Sequence, residues 1–235
     1  MKKIIYRSDT RGTADYGWLR PSYGFSFAGY YDPARIRFGK LRVLNDDWVG
    51  PGGGFDTHPH DNMEIVTIPL SGALEHKDSM GHTSVIRPGE VQVMSAGTGI
   101  THSEYNHSAT EPLTLLQIWV FPREKGVSPR YGQKNFDIRA SANRFEYIVA
   151  PEKEGDHLWL NQDTWFSLGR FESETELEYQ VHDPANGIYL FVIEGGAGMA
   201  GEILGQRDAA GAWDEGTFKI KAFAGSFLLL IEVPM

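Results

Sequence analysis

Three histidines and one glutamate carry the chemistry that can be read from this chain. His58 and His60 stand two apart in Thr57-His58-Pro59-His60, and His102 and Glu104 stand two apart in Gly99-Ile100-Thr101-His102-Ser103-Glu104. Side chains two apart on a strand point to the same face. Two such pairs facing each other across a small β-barrel would bring three imidazoles and a carboxylate to one point. That donor mix suits iron, nickel, manganese, copper or zinc, and four protein ligands leave an octahedral ion room for water or substrate. An isolated His-x-His pair is ordinarily a surface accident. The second pair, set in a β-rich frame, makes a metal site the better reading.

The elements that must position these residues lie between Gly54 and Asn106, a stretch holding five of the eight histidines. Met63 to Leu70 is rich in β-branched residues and reads as a strand, with Ala73 to Lys77 returning after the Ser71-Gly72 turn. Thr83 to Ile86 and Val91 to Met94 flank a turn at Arg87-Pro88-Gly89-Glu90, and Thr114 to Phe121 reads as a buried strand. Gly97-Thr98-Gly99 is too weak to signal a nucleotide site and instead permits a tight bend that aims His102. Upstream, Ser22 to Phe27 and Arg35 to Leu44 alternate like strands, while Asn45-Asp46-Asp47 and the glycine-rich run 50–54 bracket Trp48-Val49 as turns. Residues 1–23 read as an arm or an edge strand. The other histidines have plainer readings: His76 a satisfied core residue, His107 on the rim or surface, His157 and His182 exposed in the second half.

Composition narrows the rest. With 235 residues the chain can form one large β-domain or two small ones. Its net charge of −9 and the lack of a basic run argue against direct nucleic-acid binding, although contact through a protein partner stays open. With no cysteine, any metal must be held by His, Asp or Glu. The apolar run after Lys2-Lys3 is too short for a signal peptide, and no segment reaches membrane-spanning length, so the expected location is the cytoplasm. Short strands with Gly/Pro turns predict an all-β fold.

The second half echoes the first: residues 189–196 parallel 64–72, and 214–222 parallel 88–96. Such similarity suggests a duplicated barrel. The copy lacks the chemistry, since no histidine follows His182.

Two patterns tie these residues to a known family. Gly54-x-x-x-His58-x-His60-x-x-x-Glu64 and Gly99-x-x-His102-x-x-x-Asn106 resemble the two cupin motifs, without the proline expected before the second. Phe25-Ser26-Phe27-Ala28-x-Tyr30-Tyr31-Asp32-Pro33, Leu41-Arg42-Val43-x-Asn45-Asp46-Asp47 and Gln92-Val93-Met94-Ser95-Ala96-Gly97-Thr98-Gly99 narrow this to the pirin family of bicupins, nearest its bacterial branch with quercetinase activity. The resemblance is strong from about residue 10 to about 135 and thin beyond.

It implies two β-barrels packed face to face: a metal-binding domain at 1–125, a linker at 126–143 and a metal-free domain at 144–235. It also implies one divalent transition-metal ion held by His58, His60, His102 and Glu104. Fe(II) is the first expectation, with Ni, Cu, Zn, Mn and Co open. Glu64, which general cupins use as a ligand, is expected beside the site as a hydrogen-bonding partner if the strand from His58 runs unbroken. The implied activity is a quercetin 2,3-dioxygenase type of ring opening with release of carbon monoxide. Glu104 would serve as general base for a small aromatic substrate such as a flavonol. A metal-bearing regulatory or redox-sensing protein acting through a protein partner is the rival, and a sugar isomerase or storage-like cupin a weaker third.

Overall fold

The computed structural model describes residues 1–138 and 141–235, so residues 139 and 140 of the expected linker lie outside the described residues. The order is β1 (Lys2–Tyr6), a 3-10 turn (Ser8–Thr10), β2 (Gly12–Thr13), β3 (Leu19–Tyr23), β4 (Leu41–Val49), β5 (Gly54–His60), β6 (Glu64–Ser71), β7 (Leu74–Asp78), β8 (Thr83–Ile86), β9 (Glu90–Ser95), β10 (Ile100–Asn106), β11 (Leu113–Val120) and β12 (Arg130–Asn135). There follow β13 (Glu146–Ala150), β14 (Leu158–Trp159), β15 (Trp165–Phe171), β16 (Thr175–Gln180), β17 (Asn186–Glu194), β18 (Ala197–Met199), β19 (Glu202–Leu204), β20 (Ala209–Trp213), β21 (Thr217–Ala222) and β22 (Ser226–Pro234). The all-β expectation holds. No helix among the described residues is long and apolar enough to cross a membrane.

Each lobe pairs a seven-stranded sheet with a four-stranded one. The large sheets run β12-β9-β6-β11-β4-β3-β2 and β1-β20-β17-β22-β15-β13-β14, and the small ones β5-β10-β7-β8 and β16-β21-β18-β19. The two orders match place for place. The echo of β6 in β17 is therefore borne out, but β21 takes the place of β10 rather than of β9, which the second echo had matched to it. The strands standing where β5 and β10 stand, Thr175–Gln180 and Thr217–Ala222, contain no histidine.

The large sheets are buried on both faces, and the two faces do different work. Leu44, Val66, Ile68, Leu116 and Ile118 of the first lobe join Phe166, Tyr189, Phe191, Leu229 and Ile231 of the second in one apolar cluster. The residues alternating with these point into each lobe. In the second lobe they build an ordinary apolar core around Ile188, Leu190, Phe218 and Leu228. In the first lobe the apolar filling splits into two smaller groups, one around Leu74 and Leu113, the other around Ile65 and Met94. The metal-centre candidates occupy this interior.

Several elements differ from the sequence reading. Residues 24–40 form a loop with isolated bridges at Phe27–Tyr30 and Phe38–Leu41 instead of two strands. Ala28 and Gly39 take positive φ there, of 49° and 52°, which breaks an extended run. Asn45–Asp47, taken as a turn, lies inside β4. The expected linker carries β12, which pairs with β9 at the edge of the first lobe's sheet. The edge strand expected near the N-terminus is found as β1, but it pairs with β20 in the second lobe. β1 thus supplies the pairing that an open strand edge otherwise lacks.

The shared apolar cluster makes the lobes one folding unit. Truncating Leu116, fully buried in that cluster, should cost about 2–5 kcal/mol as Leu116→Ala. Urea denaturation followed by tryptophan fluorescence and by circular dichroism should give one coincident transition, shifted to lower denaturant. Separate transitions for the two lobes would contradict the shared core.

Candidate metal centre

β5 and β10 run antiparallel, with His102 directly opposite His58 and Ile100 opposite His60. The register then shifts, because Glu104 lies opposite Phe55. One extra residue therefore sits on the β5 side, as in a β-bulge. In this segment the Asp56 carbonyl accepts a hydrogen bond from His58 Nδ1 at 2.8 Å. This fixes the tautomer and leaves Nε2 with its lone pair free to bind a metal. Two glycines make the approach possible. A Cβ on Gly54 would lie 2.5 Å from the Glu104 carbonyl oxygen, and Gly97, at φ 50°, would place one 2.0 Å from the Val127 carbonyl oxygen. The bend expected at Gly97–Gly99 is present and leads straight into β10.

The three histidines meet. Ring centroids are 4.4 Å apart for His58–His102, 4.8 Å for His60–His102 and 4.9 Å for His58–His60. One ring nitrogen from each lies within 4.8 Å of the others. Glu104 belongs to a second grouping of the same tightness, with His102 and His76. His102 thus stands at the junction of the two groupings.

The residues present fit a divalent ion. Both nitrogens of His102 are buried with no hydrogen-bond partner. Burial, reinforced by the neighbouring histidines, pushes His102 down to about 2. Burial followed by the charge of His58 pushes His60 down to about 4. Both rings are therefore neutral at physiological pH, the state in which a histidine can bind a metal. An unpartnered buried ring nitrogen is costly in a core, and a bound ion would take up the lone pair of one of the two.

Glu104 is held from behind. Its two oxygens accept hydrogen bonds from Gln117 Nε2 at 3.2 and 3.0 Å. Thr67 Oγ1 donates to Gln117 Oε1 at 2.9 Å, which fixes the amide so that its NH2 faces Glu104. Burial pushes Glu104 up to about 7, against the pull of Gln117. Strand register explains the arrangement: Gln92, Thr67, Gln117 and Asn45 stand directly opposite one another across β9, β6, β11 and β4. A polar row thus crosses the sheet beneath the histidines.

A pocket of about 180 Å³ opens onto them, lined also by Phe27, Phe55, Ile65, Leu115 and Trp119, with Asn45 and Asp47 on one wall. Trp119 stands edge-on to His60 at 4.9 Å. Asp47 is pushed up to about 8, mostly by burial and then by the charges of Asp46 and Glu104.

Glu64 is not part of this site. It faces the second lobe, where it accepts hydrogen bonds from Ser95 Oγ at 2.6 Å and from the Asn161 backbone N–H at 3.1 Å. The face set by His58 and His60 does not extend to Glu64 because Asp61–Met63 lies between two strands of different sheets, with Asn62 at φ 45°. Alternation does not carry across such a break.

The remaining histidines fall into place. His76 is buried, accepts from Gln92 Nε2 at 3.1 Å and contacts Asp78 at 3.3 Å, a satisfied core residue as expected. His107 pairs with Glu75 near the surface. His157 is half-buried rather than exposed, and exposed His182 stacks on Trp165. The sequence reading missed Gln117, Thr67, Asn45 and Asp47. A signal existed for Gln117, the one amide inside an otherwise apolar strand and in phase with Leu115 and Trp119.

Comparison with known proteins gives a consistent picture. A family model described as Pirin matches residues 6–120, and one described as the quercetinase C-terminal cupin domain matches residues 147–233. The chain is 41% identical over 235 residues to the quercetin 2,3-dioxygenase of Escherichia coli strain K12, covering 98% of this chain and 99% of that one. It is 37% identical over 227 residues to a pirin-like protein of Caulobacter vibrioides, covering 95% and 96%. Among solved structures, the bacterial pirin YhhW from Escherichia coli in complex with nickel(II) superposes with a TM-score of 0.93 at 38% identity, over 99% of each chain.

The Asp47 shift gives a pH test on metal-free protein. An unfolded aspartate titrates near 3.9, well below the native value of about 8. The raised group therefore favours the folded state fully below about 3.9, and that advantage is lost as pH rises to about 8. Asp47→Asn should accordingly raise Tm, and by more at pH 8 than at pH 4. A gain in calorimetric Tm that is the same at both pH values would show that the carboxyl does not titrate this way.

Proposed function

As the chain belongs to the pirin family, we propose that it is a metal-dependent dioxygenase acting on flavonols, opening the central ring with dioxygen and releasing carbon monoxide. The observation that carries this reading is the meeting of three imidazoles, two of them held neutral by burial, beside a buried carboxyl group in an aromatic-walled pocket. In this reading His58, His60, His102 and Glu104 hold the ion. When bound, a divalent transition metal supplies Lewis-acid activation of the substrate's hydroxyl–ketone edge and a route for electrons to dioxygen.

The chain's own residues supply position, dryness and proton transfer. Phe27, Phe55 and Trp119 form flat apolar walls that suit a planar aromatic substrate and exclude water. Glu104 accepts the proton of the substrate hydroxyl at a carboxylate oxygen. Its raised affinity for a proton, near neutrality, suits a base that must first be ionised and then hold what it takes. Gln117 keeps that carboxylate aimed, because its amide is itself fixed by Thr67. The nickel(II) complex of the related Escherichia coli pirin supports a divalent ion as the cofactor.

Oxygen uptake with quercetin, together with carbon monoxide detection, tests the proposal. Activity should disappear on chelation and return on adding a divalent metal. It should fall by a factor on the order of a thousand in His58→Ala and Glu104→Gln, since each removes a ligand or the base. Turnover indifferent to chelation and to both substitutions would sink the reading. Gln117→Leu takes away the donors that steady the Glu104 carboxylate. It should lower kcat by about ten- to a hundredfold and move the acidic limb of the pH–rate profile to higher pH. An unmoved limb would remove Gln117 from the mechanism.

A further inference from the structure

We propose that Asn45 and Asp47 form a recognition subsite for a phenolic hydroxyl on the substrate, beside the hydroxyl–ketone edge that meets the ion. This inference rests on the flavonol reading above and adds what selects among flavonols.

Both residues project from β4 into the first lobe. They are 4% and 6% exposed and line the same pocket as the histidines and Glu104. Neither side chain makes a hydrogen bond among the described residues, and Asn45 Oδ1 and Asp47 Oδ1 are buried without partners. Their surroundings make this unusual. Along the polar row beneath the site, Gln92 bonds His76, Thr67 bonds Gln117, and Gln117 bonds Glu104. The chain of pairings stops at Asn45. On the other face of the same strand Asp46 has two arginine partners, Arg11 at 3.4 Å and Arg207 at 3.2 Å. The strand between them thus turns a satisfied carboxylate outward and two unpartnered oxygens inward.

Buried polar groups are almost always paired, and an exception in a pocket wall calls for a partner arriving with the ligand. Asn45 Oδ1 can only accept, so its missing partner must donate, whereas the Asp47 carboxyl can give or take a proton in a hydrogen bond. The aromatic walls require that the donor ride on a flat ring. A phenolic hydroxyl meets both conditions. A site built to bond a hydroxyl also rejects the analogue that lacks it, because its own buried groups are then stranded.

The test compares galangin, which carries ring hydroxyls beyond the chelating edge, with 3-hydroxyflavone, which has none. Equilibrium binding to the metal-loaded protein is measured without oxygen, by quenching of tryptophan fluorescence. The native protein should prefer galangin by a factor on the order of ten or more. In Asn45→Leu and Asp47→Leu that preference should shrink toward one, while affinity for 3-hydroxyflavone is retained. The melting temperature of both variants should rise, since a stranded polar group is removed. A purely structural role would lower it. Asp47→Asn, which keeps the shape, serves if a leucine variant does not fold, and should lose part of the preference.

Equal affinity of the native protein for the two compounds, or a preference kept in all three variants, overturns the subsite. Selective binding under nitrogen with no oxygen uptake in air overturns the dioxygenase reading and leaves the subsite standing. Turnover of both flavonols with the same Kd does the reverse.

Discussion

The site depends on the pairing of β5 with β10. Antiparallel register sets His58 against His102, and the extra residue on β5 brings the Asp56 carbonyl within hydrogen-bonding distance of the His58 ring. Every other feature of the site follows from that contact. The glycines at 54 and 97 exist because two backbones and a loop pass too closely for a side chain. The burial that keeps His60 and His102 neutral comes from the same closeness, since each ring shields its neighbours from water. Desolvation that would be a liability for a charged group is here what prepares the ligands.

Around this contact the first lobe uses one sheet for two purposes. The face of β4, β6 and β11 turned to the second lobe is apolar and joins the large shared cluster. The opposite face carries Asn45, Thr67, Gln117 and Glu104's support. The adhesive face holds the sheet rigid, so the polar row on the other side stays in place when the pocket fills. The second lobe keeps the adhesive face and fills its interior with leucine, isoleucine and phenylalanine instead.

How much of this could be read from the sequence follows the range of each signal. That His58 and His60 share one face, and His102 and Glu104 another, was legible because their spacing is local to single strands. The all-β class and most strands were legible for the same reason. Glu64 was misplaced because three residues between strands reset the alternation that placed it. Asn45–Asp47 look like turn formers, and only their cross-strand partners reveal why a strand tolerates them: Asp46 meets arginines, and the other two face the pocket. Gln117 needed knowledge of which face looks inward. The crossing of Lys2–Tyr6 to the other lobe, and the place of β21 as the second lobe's counterpart of β10, depend on contacts remote in sequence, which no local pattern carries.

That crossing has a consequence for assembly. Lys2 pairs opposite Trp213, so β1 has no place to lie until β20, far along the chain, has been made. Until then β1 has no hydrogen-bonded neighbour. Closing so wide a loop is entropically slow. The clasp between β1 and β20 therefore has to await most of the second lobe, and once made it ties the two lobes together through the backbone as well as through their apolar seam.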